Sequence, residues 1–393
     1  MESWKKTVYI SFGIIFCHTA GTGMVMPFLP LYIKELGVTD PQAQSLWSGI
    51  LYGVSSLFSA LMAPVWGTIS DKYGRKPLIL RTTFGIALVA FLMSIITNVY
   101  QLLALRIFHG FCAGMIPAFI ALVSYNLPHN KIGQGIGMMQ SAQFSGHIIG
   151  PFIGGVLADF MGYRHVLLII SFLTVVAGTA TVLFIHEPKR DPEQVRATVL
   201  DNIKLVTSSN NLTIIVIVLF SVHFSLYIVQ PILPLFIASF QSTINSASMV
   251  GLVFSVTGFS TMLFVPYWGK TGDKKGHRTV LFQGLLFNGI ACFPQALVTS
   301  AYQLLPLRAI MGFSIAGIEP STQSIIVKHT KDSQRGGILG IAHAVRLSGQ
   351  AIGPLVGGSL AAVFGYRIPF VLTAILLIFI AFFFRYFAKK TAP

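Results

Sequence analysis

Apolar residues run in long unbroken blocks along this chain, and the blocks recur from one end to the other. A helix that crosses a bilayer needs about 20 mostly apolar residues at ~1.5 Å of rise each. Twelve stretches qualify: 8–33, 45–68, 78–97, 100–126, 134–158, 164–185, 212–237, 247–269, 279–299, 302–327, 337–361 and 367–387. Polar connections between them are short, except from His186 to Asn211, where Glu187, Lys189, Arg190, Asp191, Glu193, Arg196, Asp201 and Lys204 cluster. In that segment Val195, Val199 and Ile203 recur every four residues, which predicts a short amphipathic helix on the membrane surface. The pattern predicts an all-α integral membrane protein with twelve transmembrane helices. No cleavable secretory signal precedes the first span, so a mature N-terminus is expected.

Composition strengthens that reading. Of the 393 residues, 54% are hydrophobic and 10% charged, against roughly 25% charged in a soluble domain. A water-soluble enzyme is excluded. The net charge of +15 would suggest a nucleic-acid partner in a soluble protein, but its distribution points elsewhere. If Met1 is cytoplasmic, 21 of the Lys and Arg residues fall on inner segments and three (Lys34, Arg164, Arg367) on outer loops. Basic residues in short loops favour the cytoplasmic side, so both termini are expected inside and no nucleic acid is expected. Cys17, Cys112 and Cys292 lie in separate spans, without the spacing of a disulfide framework or metal pair. The sequon at Asn211 sits at the inner end of a span, where no glycan is expected.

The two halves repeat. Pro27-Phe28-Leu29-Pro30 returns as Pro231-Ile232-Leu233-Pro234, and Trp66-Gly67 with Asp71, Gly74 and Arg75 returns as Trp268-Gly269 with Asp273, Gly276 and His277. Leu105-Arg106 with Gly110 and Gly114 matches Leu307-Arg308 with Gly312 and Gly317. Gly146, Gly150, Pro151, Gly154 and Gly155 match Gly349, Gly353, Pro354, Gly357 and Gly358, and Gly162-Tyr163-Arg164 matches Gly365-Tyr366-Arg367. The offset stays between 202 and 204 residues. The expected organisation is therefore two pseudo-symmetric six-helix bundles, 1–185 and 212–393, joined by a cytoplasmic linker at 186–211. Many transporters rock such repeats about a central site.

These residues resemble the major facilitator superfamily, in its twelve-helix drug:proton antiporter branch. Gly67 to Lys76 resembles the superfamily's signature between spans 2 and 3. Gly21 with Pro27 and Pro30 resembles the first-span motif of the drug exporters, and Gly146 to Gly155 resembles the fifth-span antiporter motif. The resemblance covers the whole chain. It implies a monomeric, multi-pass protein of the bacterial inner membrane that exports small molecules against protons, with the proton gradient as energy source and no cofactor.

Three groups of residues carry candidate chemistry. In span 5, Ala142, Gly146, Gly150, Gly154 and Ala158 form a smooth strip on one helix face, which permits close backbone approach. Span 11 repeats it, and Pro151 and Pro354 each remove an amide donor. The duplicated strip is expected to be a sliding surface between bundles, with plain tight packing as the alternative. In the loop after span 2, Asp71 and Arg75 are four apart and pair if the segment is helical, while Gly74 suits a reversal. The family resemblance makes this loop a cytoplasmic gate, with Asp273 as the weaker copy; an anchoring turn is the alternative.

Only one acid lies inside a predicted span, Glu319 in span 10. An intramembrane carboxylate is costly and functional by default, and desolvation penalises its charged form. Glu319 is the leading candidate to couple protons to export. A structural ion pair with Arg308 or Arg346 is the alternative. Arg106 and His109 share a face of span 4, where the family resemblance gives Arg106 a proton-relay or cavity role and His109 replaces the usual Gln. Whether His109 titrates stays open at this point. Arg346, Arg308, Pro27 and Pro30 are further cavity candidates. His18, His147, His223 and His343 are taken as core groups, since none pairs with a carboxylate at the spacing of a zinc site.

Proton-coupled export of lipophilic or amphiphilic drugs is the expected function. Export of a specific endogenous metabolite, such as an anionic siderophore or a sugar, is the alternative, because three in-span arginines outnumber one glutamate. An intramembrane enzyme would need a clustered nucleophile or metal set, which the sequence does not display. Gly269-Lys270-Thr271 lacks the upstream glycine of a phosphate-binding loop, because position 265 is Val265.

Overall fold

The computed structural model describes residues 3–125, 127–128, 131–185, 187, 199–240, 246–330 and 334–390. Regular structure among them is helical: α1 (Ser3–Val25), α2 (Leu29–Glu35), α3 (Pro41–Tyr73), α4 (Arg75–Ile95), α5 (Val99–Phe111), α6 (Met115–Tyr125), α7 (Ile132–Met161) and α8 (Tyr163–Phe184). There follow α9 (Val199–Ser208), α10 (Asn210–Val229), α11 (Leu233–Ser239), α12 (Ser246–Lys275), α13 (His277–Cys292), α14 (Ala301–Lys328), α15 (Arg335–Phe364) and α16 (Ile368–Lys390).

Among the described residues, ten helical segments are long and apolar enough to cross a bilayer. The other two expected spans, 100–126 and 279–299, are helical but interrupted. Span 4 divides into α5 and α6 around Cys112–Gly114. Backbone freed at such a break must be satisfied inside the protein. Arg81 does this, donating from Nη1 to Phe111 O at 3.1 Å and from Nη2 to Ala113 O at 2.9 Å while its guanidinium lies 3.3 Å from the Trp66 ring. Span 9 is α13 followed by a 3-10 turn at Phe293–Ala296, where Pro294 has no amide to continue the helix.

Spans 1 and 7 bend at their repeated prolines. Pro27 sits in a 3-10 turn, and Pro30 and Pro234 fall in the first turns of α2 and α11, where a missing amide is tolerated. Pro27 and Pro30 are buried in that bend rather than presented on an open face. Gly74 and Gly276 stand at φ +101° and +87° between α3 and α4 and between α12 and α13, a left-handed backbone suited to glycine. Asp71 and Arg75 therefore stand at the end of α3 and the start of α4, on either side of Gly74.

The chain divides into two compact units. The first takes Met1–Asp40, Val54–Asp191 and Ser242–Ser255; the second takes Pro41–Gly53, Pro192–Gln241 and Val256–Pro393. Ile15, Ile79, Phe119, Leu122 and Met139 centre the core of the first, and Leu219, Leu285, Ile318, Ile338 and Leu377 that of the second. Large apolar side chains such as Phe160, Phe172, Val363 and Phe379 are exposed, as suits helices surrounded by lipid. The repeat survives in detail: Arg164 donates to Ile96 O and Arg367 to Val298 O, each fastening the start of a helix to the end of an earlier hairpin.

Lipid offers helices no hydrophobic drive to associate, so close packing carries the association. In the first unit α7 lies on α1: a Cβ at Gly150 would stand 2.5 Å from Ala20 O, and one at Gly154 2.7 Å from Met24 Cα. A Cβ at Gly146 would run into Thr19. In the second unit α15 lies on α10 in the same way, with Gly349 against Phe220 O, Gly353 against Phe224 O and Gly357 against Ile228. Each strip is filled by a helix of its own half, where backbone meets backbone without room for a Cβ. Pro151 and Gly155 face elsewhere, against Gly251 and Ala247 in the first turns of α12, within the first unit. Pro354 and Gly358 likewise meet Gly49 of α3 within the second.

The expected amphipathic helix of the linker begins at Val199, as α9, and buries Val206 in the second unit's core. Lys189, Arg190, Asp191, Glu193, Val195 and Arg196 lie outside the described residues, as does the side chain of Ile203.

Candidate functional site

Three helices of the second unit converge on Glu319. Helix α10 offers His223 and Tyr227, four apart on one face; α14 offers Glu319 just before Pro320; α15 offers His343, Arg346 and Gln350, spaced three and four apart on one face. His223 Nε2 lies 2.9 Å from Glu319 Oε1, and Arg346 Nη1 lies 3.7 Å from the same oxygen. Arg346 Nη2 donates to His343 Nδ1 at 2.7 Å. Gln350 Nε2 reaches His223 Nδ1 at 3.4 Å. With that amide as donor, Nδ1 is the acceptor, and a neutral His223 carries its proton on Nε2, facing the carboxylate.

The burial of the pair is unequal. The Glu319 side chain is 35% exposed and that of His223 only 11%. The carboxylate is the reachable member, and the imidazole holds it from behind. A proton arriving at Glu319 cancels its attraction for Arg346 and changes what His223 can donate to. The cluster thus has the parts of a protonation-linked switch: an acid within reach, a buried hydrogen-bond partner and a fixed positive charge.

The other expected residues fall in different places. Arg308 is buried in α14 and makes no contact with Glu319; Arg346 supplies the charge instead. In the first unit, Arg106 is buried in α5 with Met26 Sδ at 4.0 Å, and His109 Nδ1 lies 2.9 Å from Ser55 Oγ. In the loop between α3 and α4, the backbone amides of Arg75 and Lys76 donate to Glu187 at 2.6 and 3.0 Å. A carboxylate suits a helix N-terminus, so Glu187 caps α4. The side chain of Asp71 lies outside the described residues. Gly67 has open space around its Cβ position. Asp273 is exposed and meets His277 at 3.5 Å, across Gly276.

Sequence reasoning missed His223 as a partner of Glu319, and His343 and Gln350 as the groups bonded to Arg346 and His223. The His343–Arg346 pair had a signal, the three-residue spacing on one helix. His223 is 96 residues away on another helix and had none.

The family model of the Major Facilitator Superfamily matches residues 11–243 and again 215–393. The chain belongs to this superfamily. It is 34% identical to the multidrug resistance protein MdtG of Proteus mirabilis over 382 residues, covering 96% of this chain and 94% of that protein. It is 32% identical to MdtG of Yersinia enterocolitica, covering 100% of this chain and 95% of that one. The crystal structure of the nucleoside transporter NupG superposes with a TM-score of 0.82 at 17% identity, covering 99% of this chain and 100% of that one, which shows a shared fold. As a superfamily member the chain is a multi-pass membrane transporter of small molecules rather than an enzyme. Two matches of one family model along a single chain agree with its internal duplication.

Proposed function

We propose that this transporter exports small lipophilic or amphiphilic compounds in exchange for protons, by alternating access. The observation that carries the reading is Glu319, set within a membrane span between His223 and Arg346. Protonation and release at this carboxylate supply the coupling, with no cofactor beyond the proton gradient. The cargo follows the similarity to proteins called multidrug resistance proteins. The protein works as a monomer in the bacterial inner membrane with both termini cytoplasmic, as its Lys and Arg distribution favours. Its six-helix bundles, 1–185 and 212–393, tethered by the 186–211 linker, rock about a central site, and the loop bearing Gly67, Asp71, Gly74 and Arg75 gates the cytoplasmic side, with Asp273 in its copy. Arg106 and His109 serve as a second, auxiliary proton path.

Everted vesicles test this directly. Cargo uptake should follow an imposed pH gradient and collapse with a protonophore; uptake indifferent to both would overturn the reading. A second reading, export of one anionic metabolite, is favoured by Arg106, Arg308 and Arg346 standing against one in-span glutamate. Susceptibility profiling of an overexpressing strain separates the two: resistance to several unrelated drugs supports the first, and resistance to none supports the second.

A further inference from the structure

Arg308 in α14 is only 6% exposed, and neither Nε nor Nη2 meets a hydrogen-bond acceptor among the described residues. The neighbouring helix α13, whose Gly284 packs against Ser314 and Ile318 of α14, and its 3-10 extension hold two more unsatisfied side chains with no exposed surface. Asn288 leaves both Nδ2 and Oδ1 unpaired, and Gln295 leaves Oε1 unpaired. These groups share one neighbourhood. Asn288, Cys292 and Gln295 follow at four and three residues, along one face of α13 and its 3-10 extension. The Cys292 thiol lies within electrostatic range of the Arg308 guanidinium. Gln295 Nε2 reaches Met311 Sδ at 3.6 Å, one helical turn beyond Arg308.

A buried charge without a partner is among the costliest arrangements a protein can hold. Among the described residues no acid forms an ion pair with it. Glu319 is eleven residues further along α14, about 16 Å at 1.5 Å per residue, and is engaged by His223 and Arg346. The orphan pair, Nε and Nη2, is one edge of the guanidinium and presents two parallel N–H groups, the fork that receives a carboxylate or other small anion. Asn288 Nδ2 adds a third donor, and the amide oxygens of Asn288 and Gln295 suit a water that accompanies an anion.

The repeat shows that this is not a shared scaffold feature. At an offset of 202 residues, Asn288, Cys292 and Gln295 stand where the first half has Ile86, Ala90 and Met93. The arginine is duplicated as Arg106; the polar lining opposite it is not.

We infer that Arg308 and Asn288, lined by Gln295, form a binding site for a small monovalent anion, either an inorganic halide or the carboxylate of a cargo molecule. The site is read by binding rather than by transport, so its test stands apart from that of Glu319. Thermal unfolding of the purified protein is measured at constant ionic strength in sodium isethionate, then with chloride or with benzoate replacing part of it. One or both probes should raise Tm by about 2 °C or more, saturably. A shift with chloride alone assigns an inorganic ion, and one with benzoate alone assigns a carboxylate. Arg308→Gln should abolish the shift. If that variant does not fold, Asn288→Leu should raise the probe concentration needed for half the shift at least fivefold, while Glu319→Gln should leave it unchanged. No shift with either probe in the unaltered protein, or the same response after Asn288→Leu, would overturn the site.

Discussion

His223 Nε2 and Glu319 Oε1 stand 2.9 Å apart, tying α10 to α14 at the one acidic side chain within the predicted spans. A carboxylate held by an imidazole on one side and a guanidinium on the other has two distinct states. Charged, it bridges three helices; protonated, it is held by hydrogen bonds alone.

Glu319→Gln keeps the shape of that side chain and removes its titration. Uptake driven by a pH gradient into everted vesicles should fall at least tenfold, while exchange of labelled for unlabelled cargo without a gradient should persist. Wild-type gradient dependence in this variant would remove Glu319 from the coupling role.

His223→Asn and Arg346→Gln probe the same network from its two sides. Groups sharing one partner act non-additively, with interaction energies of about 0.5–3 kcal/mol. The double variant should therefore be little worse in gradient-driven uptake than the more impaired single one. Strictly multiplicative losses would mean that the two residues act through separate pathways.

Gly150 meets the backbone of Ala20 rather than a movable side chain. Gly150→Ala should destabilise the purified protein by about 1–3 kcal/mol through overpacking, and Gly150→Leu should abolish transport while membrane insertion persists. Gly137→Ala on the same helix is the control, since nothing lies within 4 Å of its Cβ position. Equal melting temperatures for the Gly150→Ala and Gly137→Ala proteins would contradict the docking.

Glu187 accepts the first two amides of α4. Glu187→Ala should lose about 0.3–2 kcal/mol of local stability, the range for a charge at a helix N-terminus. Hydrogen exchange should quicken at Arg75 and Lys76 well before it changes in the interior of α4. Unchanged exchange at those amides would show that the cap contributes nothing.

Most of the fold was legible because lipid makes two demands a sequence cannot hide: long apolar runs, and basic loops between them. The duplication was legible too, since glycines and prolines at fixed positions recur wherever backbone must approach or bend. The breaks in spans 4 and 9 were not, because composition measures apolar length and not whether Gly114 or Pro294 interrupts it. The site was half legible. Glu319 stood out as a lone acid, whereas His223 read as one buried histidine among several until the packing of α10 beside α14 brought it to the carboxylate. The strip of Gly146, Gly150 and Gly154 was recognisable as a contact surface, but a glycine face does not say which helix will fill it.

The glycine docking of α7 on α1 and of α15 on α10 has a consequence for how such a protein diversifies. Contacts made through main-chain atoms are indifferent to the neighbouring side chains, so the same joint persists while the chemistry beside it is rewritten. Here one copy flanks its joint with a histidine–glutamate pair and the other with none. New cargoes can thus be accommodated by exchanging residues along the remaining faces, without relearning how the helices assemble.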